Sequence, residues 1–402
     1  MVKLASVLAV TLLVSFSAGW GLPTAAGAQP AGLKTDRPAV GADVQKAKPG
    51  QGPLVGPATP GPGVRPASCF DEAAYARAKK QDKNLAGALL CGADLKKAYL
   101  SDVDLTGANL SGGDLGGARL YGVNLKGAAL SRANLAGAVL SRTNLEGARL
   151  DGANLREASV QGLNLKGADL SRADLEKAKL NGSDLTGANL ERAVLRNVEA
   201  LSAKFTSATL RYANLDFSNF KADDHWRQAH FAGANLSEAT FRQAQLARAT
   251  LEGADMSRAD FTGARLEGAN MKKARGPRAI FNQARAGKAY CQEADFSDGQ
   301  FRGADLTEAS LQHSKLSRAD LRNANLTRAD AYSASLVEAN LEAANLTESE
   351  LRLTNFRGAN LAGANFYRSS PFRATIDLRW KEFLKGQTFR TDKMYGSIHW
   401  GQ

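Results

Sequence analysis

Through most of this chain a large apolar residue recurs at every fifth position, and the residue two places before it is usually Ala. Ala93-Asp94-Leu95, Ala108-Asn109-Leu110, Ala133-Asn134-Leu135 and Ala173-Asp174-Leu175 show the unit. It runs from Leu85 to Phe220, slips by one residue, and resumes from Phe231 to Phe366. A period of five matches neither an α-helix nor a flat alternating strand. A fixed short repeat marks an array instead. One buried Leu cannot offset the ordering of five residues, so the units must bury their apolar groups by stacking in many copies.

The unit resembles the pentapeptide-repeat family, whose motif is written A-(D/N)-L-x-x, over residues 85–370. The resemblance implies an all-β fold, a right-handed quadrilateral β-helix (β-solenoid) with short helical caps. At four units to a coil it would have about 14 coils. With strands about 4.8 Å apart it would be about 65–70 Å long. In that geometry Leu and Ala point inward, Asp or Asn faces outward and bonds to nearby backbone, and Gly sits at the corners. In the first half, Asn or Asp precedes the central residue every ten residues from Asn84 to Asp184, while the intervening positions, such as Tyr99, Arg119, Val139 and Lys179, vary. Two opposite faces are therefore regular and two are free to vary.

The segments outside the repeats divide readily. Residues 1–28 read as a signal peptide: Lys3 gives the positive start, Leu4 to Phe16 the short apolar stretch, and Ala26-Gly27-Ala28 an A-x-A cleavage pattern. Residues 29–66 are rich in Pro, Gly and Ala and read as a disordered tether. The expected localisation is therefore export, to the periplasm or beyond. Residues 67–84 contain Asp71 to Lys83, acidic at its start and basic at its finish, which reads as an N-terminal capping helix. In residues 371–402, Trp380, Phe383 and Leu384 fall at helical spacing, which suits a C-terminal cap; a membrane-surface or partner-binding tail is the alternative. Cys69 and Cys91 are near enough in sequence for an oxidising compartment to join them, whereas Cys291 occupies a repeat centre and reads as a small buried hydrophobe.

Two departures interrupt the array. Residues 221–230 gain one residue of phase, which reads as a bulge between the halves 85–220 and 231–370. Asp223, Asp224 and His225 lie there, but consecutive residues seldom converge on one ion. At Gly276-Pro277 a repeat centre is empty and a backbone donor is lost. The surrounding stretch holds Lys272, Lys273, Arg275, Arg278, Arg285 and Lys288 with no acid between Glu267 and Glu293. With Arg265 and Tyr290 these form a candidate contact for an anionic partner, the other reading being an ordinary solvated face.

The expected function follows from what the repeats offer. The four histidines, His225, His230, His313 and His399, are scattered, and the glycines belong to the repeat rather than to a phosphate-binding loop. This points away from an enzyme and from any cofactor. Some pentapeptide-repeat proteins protect DNA gyrase by resembling DNA. A net charge of +12 has the wrong sign for that topoisomerase-protection role, and export would remove the chain from its target. Interleaved acids and few exposed aromatics argue against nucleic acid as a partner. The expectation is an exported, non-enzymatic rod, a scaffold or protein-interaction module whose partner is an unknown protein or an anionic envelope component.

Overall fold

The computed structural model describes residues 69–221, 228–390 and 396–401. The expected signal and tether, and Asp223, Asp224 and His225, lie outside the described residues. What is described is a parallel β-helix. Residues twenty apart form parallel bridges, as in Asn84↔Asp104↔Asn124. Three further ladders start at Leu89↔Asn109, Asp94↔Asp114 and Tyr99↔Arg119, so each coil is bridged on four sides. On the last of these the pairing widens into three strands, β1 (Tyr99–Ser101), β2 (Arg119–Tyr121) and β3 (Val139–Ser141).

The five-residue period follows from the backbone donors. In the unit Ala133 to Gly137, Ala133 N–H closes the preceding turn on Leu130 O at 3.0 Å. Asn134 N–H donates to Gly113 O of the coil before, at 2.9 Å. Leu135 and Gly137 donate to Asn154 O and Arg156 O of the coil after, at 2.7 and 2.8 Å. The remaining donor, Ala136 N–H, is taken by the Asn134 side chain at 3.2 Å. This unit thus satisfies all five of its N–H groups. The turn needs a left-handed corner residue, and Gly137 supplies it at φ 63°. Arg132 takes the same conformation at φ 57°, so non-glycine corners accept a local cost.

The inward positions form one continuous core. Ala and Leu of the repeats are essentially fully buried. In the second half one stack of Leu gives way to Phe241, Phe261, Phe281 and Phe301, whose rings lie nearly parallel with centroids 4.8, 5.0 and 4.9 Å apart. Where Ser or Thr replaces the inward Ala, its hydroxyl can donate to backbone, as Thr354 does to Ala331 O and Ser218 to Leu195 O, whereas the buried Ser369 hydroxyl makes no such bond.

Both sequence irregularities are resolved differently than expected. The step at 221–230 is not a one-residue bulge. Lys204 pairs with His230 and Asn219 with Gln245, a register of 26 residues, after which His230↔Thr250 restores 20. Six residues are therefore added to the chain between the Asn219 and His230 bridges. Six and one are the same shift in a five-residue phase, which is why the repeat pattern alone shows only a slip. Nor is Gly276-Pro277 a break. Asp255↔Arg275↔Asp295 bridges run straight through it, and Gly276 N–H still donates to Asp295 O at 2.7 Å. Proline stands at the fourth unit position, whose N–H takes no part in the backbone bonds between coils, and Pro277 O still accepts from Arg258 N–H. The space emptied at Gly276 is filled from the next coil: a Cβ there would lie 3.0 Å from the Phe296 ring.

The ends are covered. Helix α1 (Glu72–Lys79) is capped by Asp71, whose side chain accepts from Ala73 N–H at 2.8 Å. It buries Ala74, Tyr75 and Ala78, and Tyr75 Oη donates to Asp94 O at 2.9 Å. At the other end β4 (Thr375–Asp377) pairs with β5 (His399–Gly401), and between them lie a 3₁₀ turn (Leu378–Trp380) and α2 (Lys381–Lys385). Leu384 is fully buried and Trp380 Nε1–H donates to Ala359 O at 2.9 Å, so this segment lies against the last coil.

Replacing Leu125, fully buried near the middle of the first half, by Asp places a charge in this core. Leu125→Asp is expected to cost about 4 kcal/mol or more. Hydrogen exchange should show lost protection in the coils on either side as well as its own, because stability in a stacked array is shared between neighbours.

Candidate functional site

The structure distributes the predicted basic cluster around the solenoid rather than gathering it. Arg265 and Arg285 are bridged neighbours on the ladder that begins at Tyr99. Arg275 belongs to the ladder that begins at Leu89, two ladders away and so on the opposite side of the coil. Tyr290 stands on the ladder of Asn84, with Lys272 5.5 Å from its ring centroid. Lys273, Arg278 and Lys288 sit at three different corners, each with the left-handed φ of that position. A run of positive charge in a coiled chain is thus wrapped around the coil.

Much of that charge is also answered. Glu267 lies 3.4 Å from Arg265 and 3.2 Å from Arg285. Lys273 reaches Glu293 at 4.0 Å and Lys288 reaches Glu308 at 3.6 Å. The last of these opens a corner column in which charge alternates coil by coil through Lys288, Glu308, Arg328, Glu348 and Arg368, with Arg328–Glu308 at 2.7 Å and Arg368–Glu348 at 3.8 Å. Arg318 forms a two-point pair with Asp298, at 2.7 and 2.9 Å, which holds that carboxyl below its usual range.

The tightest of these groupings centres on Asp320. Hydrogen bonds from Arg322, assisted by Arg302, outweigh desolvation and hold its pKa at about 2. No acid–base role follows for a carboxylate so firmly ionised. Among the described residues no three His, Cys, Asp or Glu side chains converge as a metal site, and His313 stands edge-on to Tyr332 with ring centroids 5.4 Å apart. Cys291 is buried and its thiol is pushed up to about 12 by desolvation, which leaves it inert. Beside it a small cavity of about 10 Å³ is lined by apolar groups including Phe281, Ala286 and Phe301.

Cys69 and Cys91 form a disulfide with their Cα atoms 5.6 Å apart, tying the segment before α1 to the first coil. Phe70 and Leu90 pair antiparallel beside it. The residues that sequence reasoning passed over lie close by: Tyr99, Tyr121 and Val139 are exposed on β1, β2 and β3. Tyr99 and Val139 were visible as positions where the regular Asn/Asp pattern is absent, but only the 20-residue register shows that they share a column.

These features define a solenoid repeat protein with its ends closed and its sides exposed. The chain belongs to the pentapeptide repeat family: the family model for pentapeptide repeats matches successive overlapping segments from 84–122 to 334–370. Membership implies a right-handed β-helix. Similar solved structures include HetL from the cyanobacterium Nostoc sp. strain PCC 7120, a pentapeptide repeat protein involved in regulation of heterocyst differentiation, at 27% identity, 64% coverage of this chain, 89% of that chain and a TM-score of 0.31. A pentapeptide repeat protein of the Arabidopsis thaliana thylakoid lumen is 26% identical, with 36% and 83% covered and a TM-score of 0.16. QnrB1, a plasmid-mediated fluoroquinolone resistance protein, is 20% identical, with 45% and 90% covered and a TM-score of 0.24. No match was found among curated proteins.

The folded pKa of Asp320 lies below its unfolded value, so its stabilisation is present above about pH 4 and is lost as pH falls toward the folded value of about 2. Asp320→Ala is therefore expected to cost about 1–2 kcal/mol at pH 7. Urea midpoints of the two proteins should converge as the pH approaches 2.

Proposed function

We propose that this chain is an exported, non-enzymatic interaction module: a four-sided rod of about 14 coils that presents its sides to a partner. The closure of one end by α1 and of the other by the 3₁₀ turn, α2 and β5 supports this, because a capped array offers its lateral faces. The Cys69–Cys91 disulfide is the observation that carries the export reading, since such bonds persist in oxidising compartments. The signal-like residues 1–28 and the tether-like residues 29–66 agree with it. The partner class is a protein or an anionic envelope component, and Arg265, Arg285 and Lys288, though partly neutralised, remain candidate contacts for it.

Protection of a topoisomerase by mimicry of DNA is the competing reading. A chain of net charge +12 presents the wrong electrostatic sign for it.

Cell fractionation followed by differential alkylation tests the proposal. The expected result is protein in the exported fraction, lacking its first residues, with Cys69 and Cys91 protected from alkylation until reduction. Recovery of full-length, fully alkylated protein from the cytosol would overturn it. Cys69→Ser should cost about 3 kcal/mol of stability, read as a lower urea midpoint that reductant does not lower further.

A further inference from the structure

We propose that the face formed by β1, β2 and β3 is a docking surface for an anionic phospholipid membrane. The proposal gives the module above a partner class, and depends on the export reading only for which membrane surface it meets.

The register fixes what this face displays. Tyr99, Arg119 and Val139 stand in one column, and Ser101, Tyr121 and Ser141 stand in the next. Tyr99 is 54% exposed, Tyr121 38% and Val139 44%, whereas the central residues of the three strands, Leu100, Leu120 and Leu140, are buried. The two rings and the valine therefore lie on adjoining columns of one exposed sheet. Parallel pairing over three consecutive residues makes this side a small sheet, where the other ladders between Asn84 and Asn355 are joined by single bridges. An exposed sheet that carries two rings suits a planar partner better than a chain that needs a groove.

Charge surrounds the apolar groups. Lys97 precedes Tyr99 at the corner, Arg119 lies between Tyr99 and Val139, and Arg142 follows β3 with its guanidinium 5.3 Å from the Tyr121 ring centroid. Among the described residues Lys97, Arg119 and Arg142 have no ion-pair partner, in contrast to the alternating corner from Lys288 to Arg368. Lys83 also reaches this side, donating to Ser101 O. The carboxylate here is Asp102, whose Oδ2 accepts from Ser101 Oγ at 2.7 Å. Tyrosine is at home at the headgroup level of a bilayer, where its ring is half-buried and its hydroxyl stays wet. Lysine and arginine beside it are drawn to acidic headgroups. Net positive charge with interspersed rings is the combination that an anionic lipid surface recognises.

Co-sedimentation of the full chain with phosphatidylcholine vesicles, with and without phosphatidylglycerol, tests the proposal. Two double variants, Tyr99→Ser with Tyr121→Ser and Arg119→Glu with Arg142→Glu, are compared with Arg149→Glu plus Arg172→Glu, exposed arginines on the opposite side of the coil. Binding should require phosphatidylglycerol, weaken with salt, and fall about tenfold or more in each of the first two variants while the third stays within about twofold. Thermal melting of all three checks that they fold; should either double variant melt early, the single changes Tyr99→Ser and Arg119→Gln replace it. No binding, equal binding to neutral vesicles, or loss only in the third variant would overturn the proposal. So would binding to heparin or single-stranded DNA that anionic vesicles cannot displace. None of these results depends on where the protein is found in the cell, so they stand apart from the fractionation test.

Discussion

The hydrogen bond from the fourth residue of a unit to the Asn or Asp two places before it underlies the regularity of this molecule. The other four backbone donors of the unit are taken by the turn and by the adjacent coils, as the residues from Ala133 to Gly137 show. The remaining one faces outward at a corner and would otherwise rely on water. A short side chain with an acceptor at Oδ1 reaches it without leaving the coil. The same side chain then serves its neighbours: Asn134 Nδ2 donates to Asp114 and its Oδ1 accepts from Asn154. Local turn chemistry and coil-to-coil order are thus joined in one residue.

Where that residue is missing, the coil improvises. Arg242 N–H and Arg302 N–H are accepted by Asp216 and Asn282, side chains from the coil before. Ladder positions such as Val139 and Val194 carry no side-chain acceptor at all. Such positions relax the selection for Asn or Asp and admit rings, arginines and aliphatic groups. Lateral faces can therefore diversify because the coil-to-coil bonds come from the backbone, as along the ladder through Val139.

The periodicity made the β-helix legible because one inward Leu in five is a direct image of the coil side. What it obscured was anything that alters length by a non-multiple of five, or charge by position. Six added residues after Asn219 show up only as a shift of one, and pairing through His230 is needed to distinguish them. The basic stretch from Arg265 to Tyr290 reads as a patch in a linear chain, yet a 20-residue coil sends Arg275 and Arg285 to opposite sides. Gly276 reads as a defect because the sequence does not show Phe296 reaching into its space from the next coil. Tyr99 and Val139, forty positions apart in the chain, share a column only because two coils separate them.

The 26-residue register has a further implication. The register grows by six residues between Asn219 and His230, and the ladders beyond resume in the same order around the axis. Phe205 and Phe231 still stack with ring planes 3° apart across the change. Length at this step is thereby uncoupled from the angular phase of everything downstream. Such a step is a port: segments of other lengths could be spliced there, and each lateral face would keep its compass bearing along the rod.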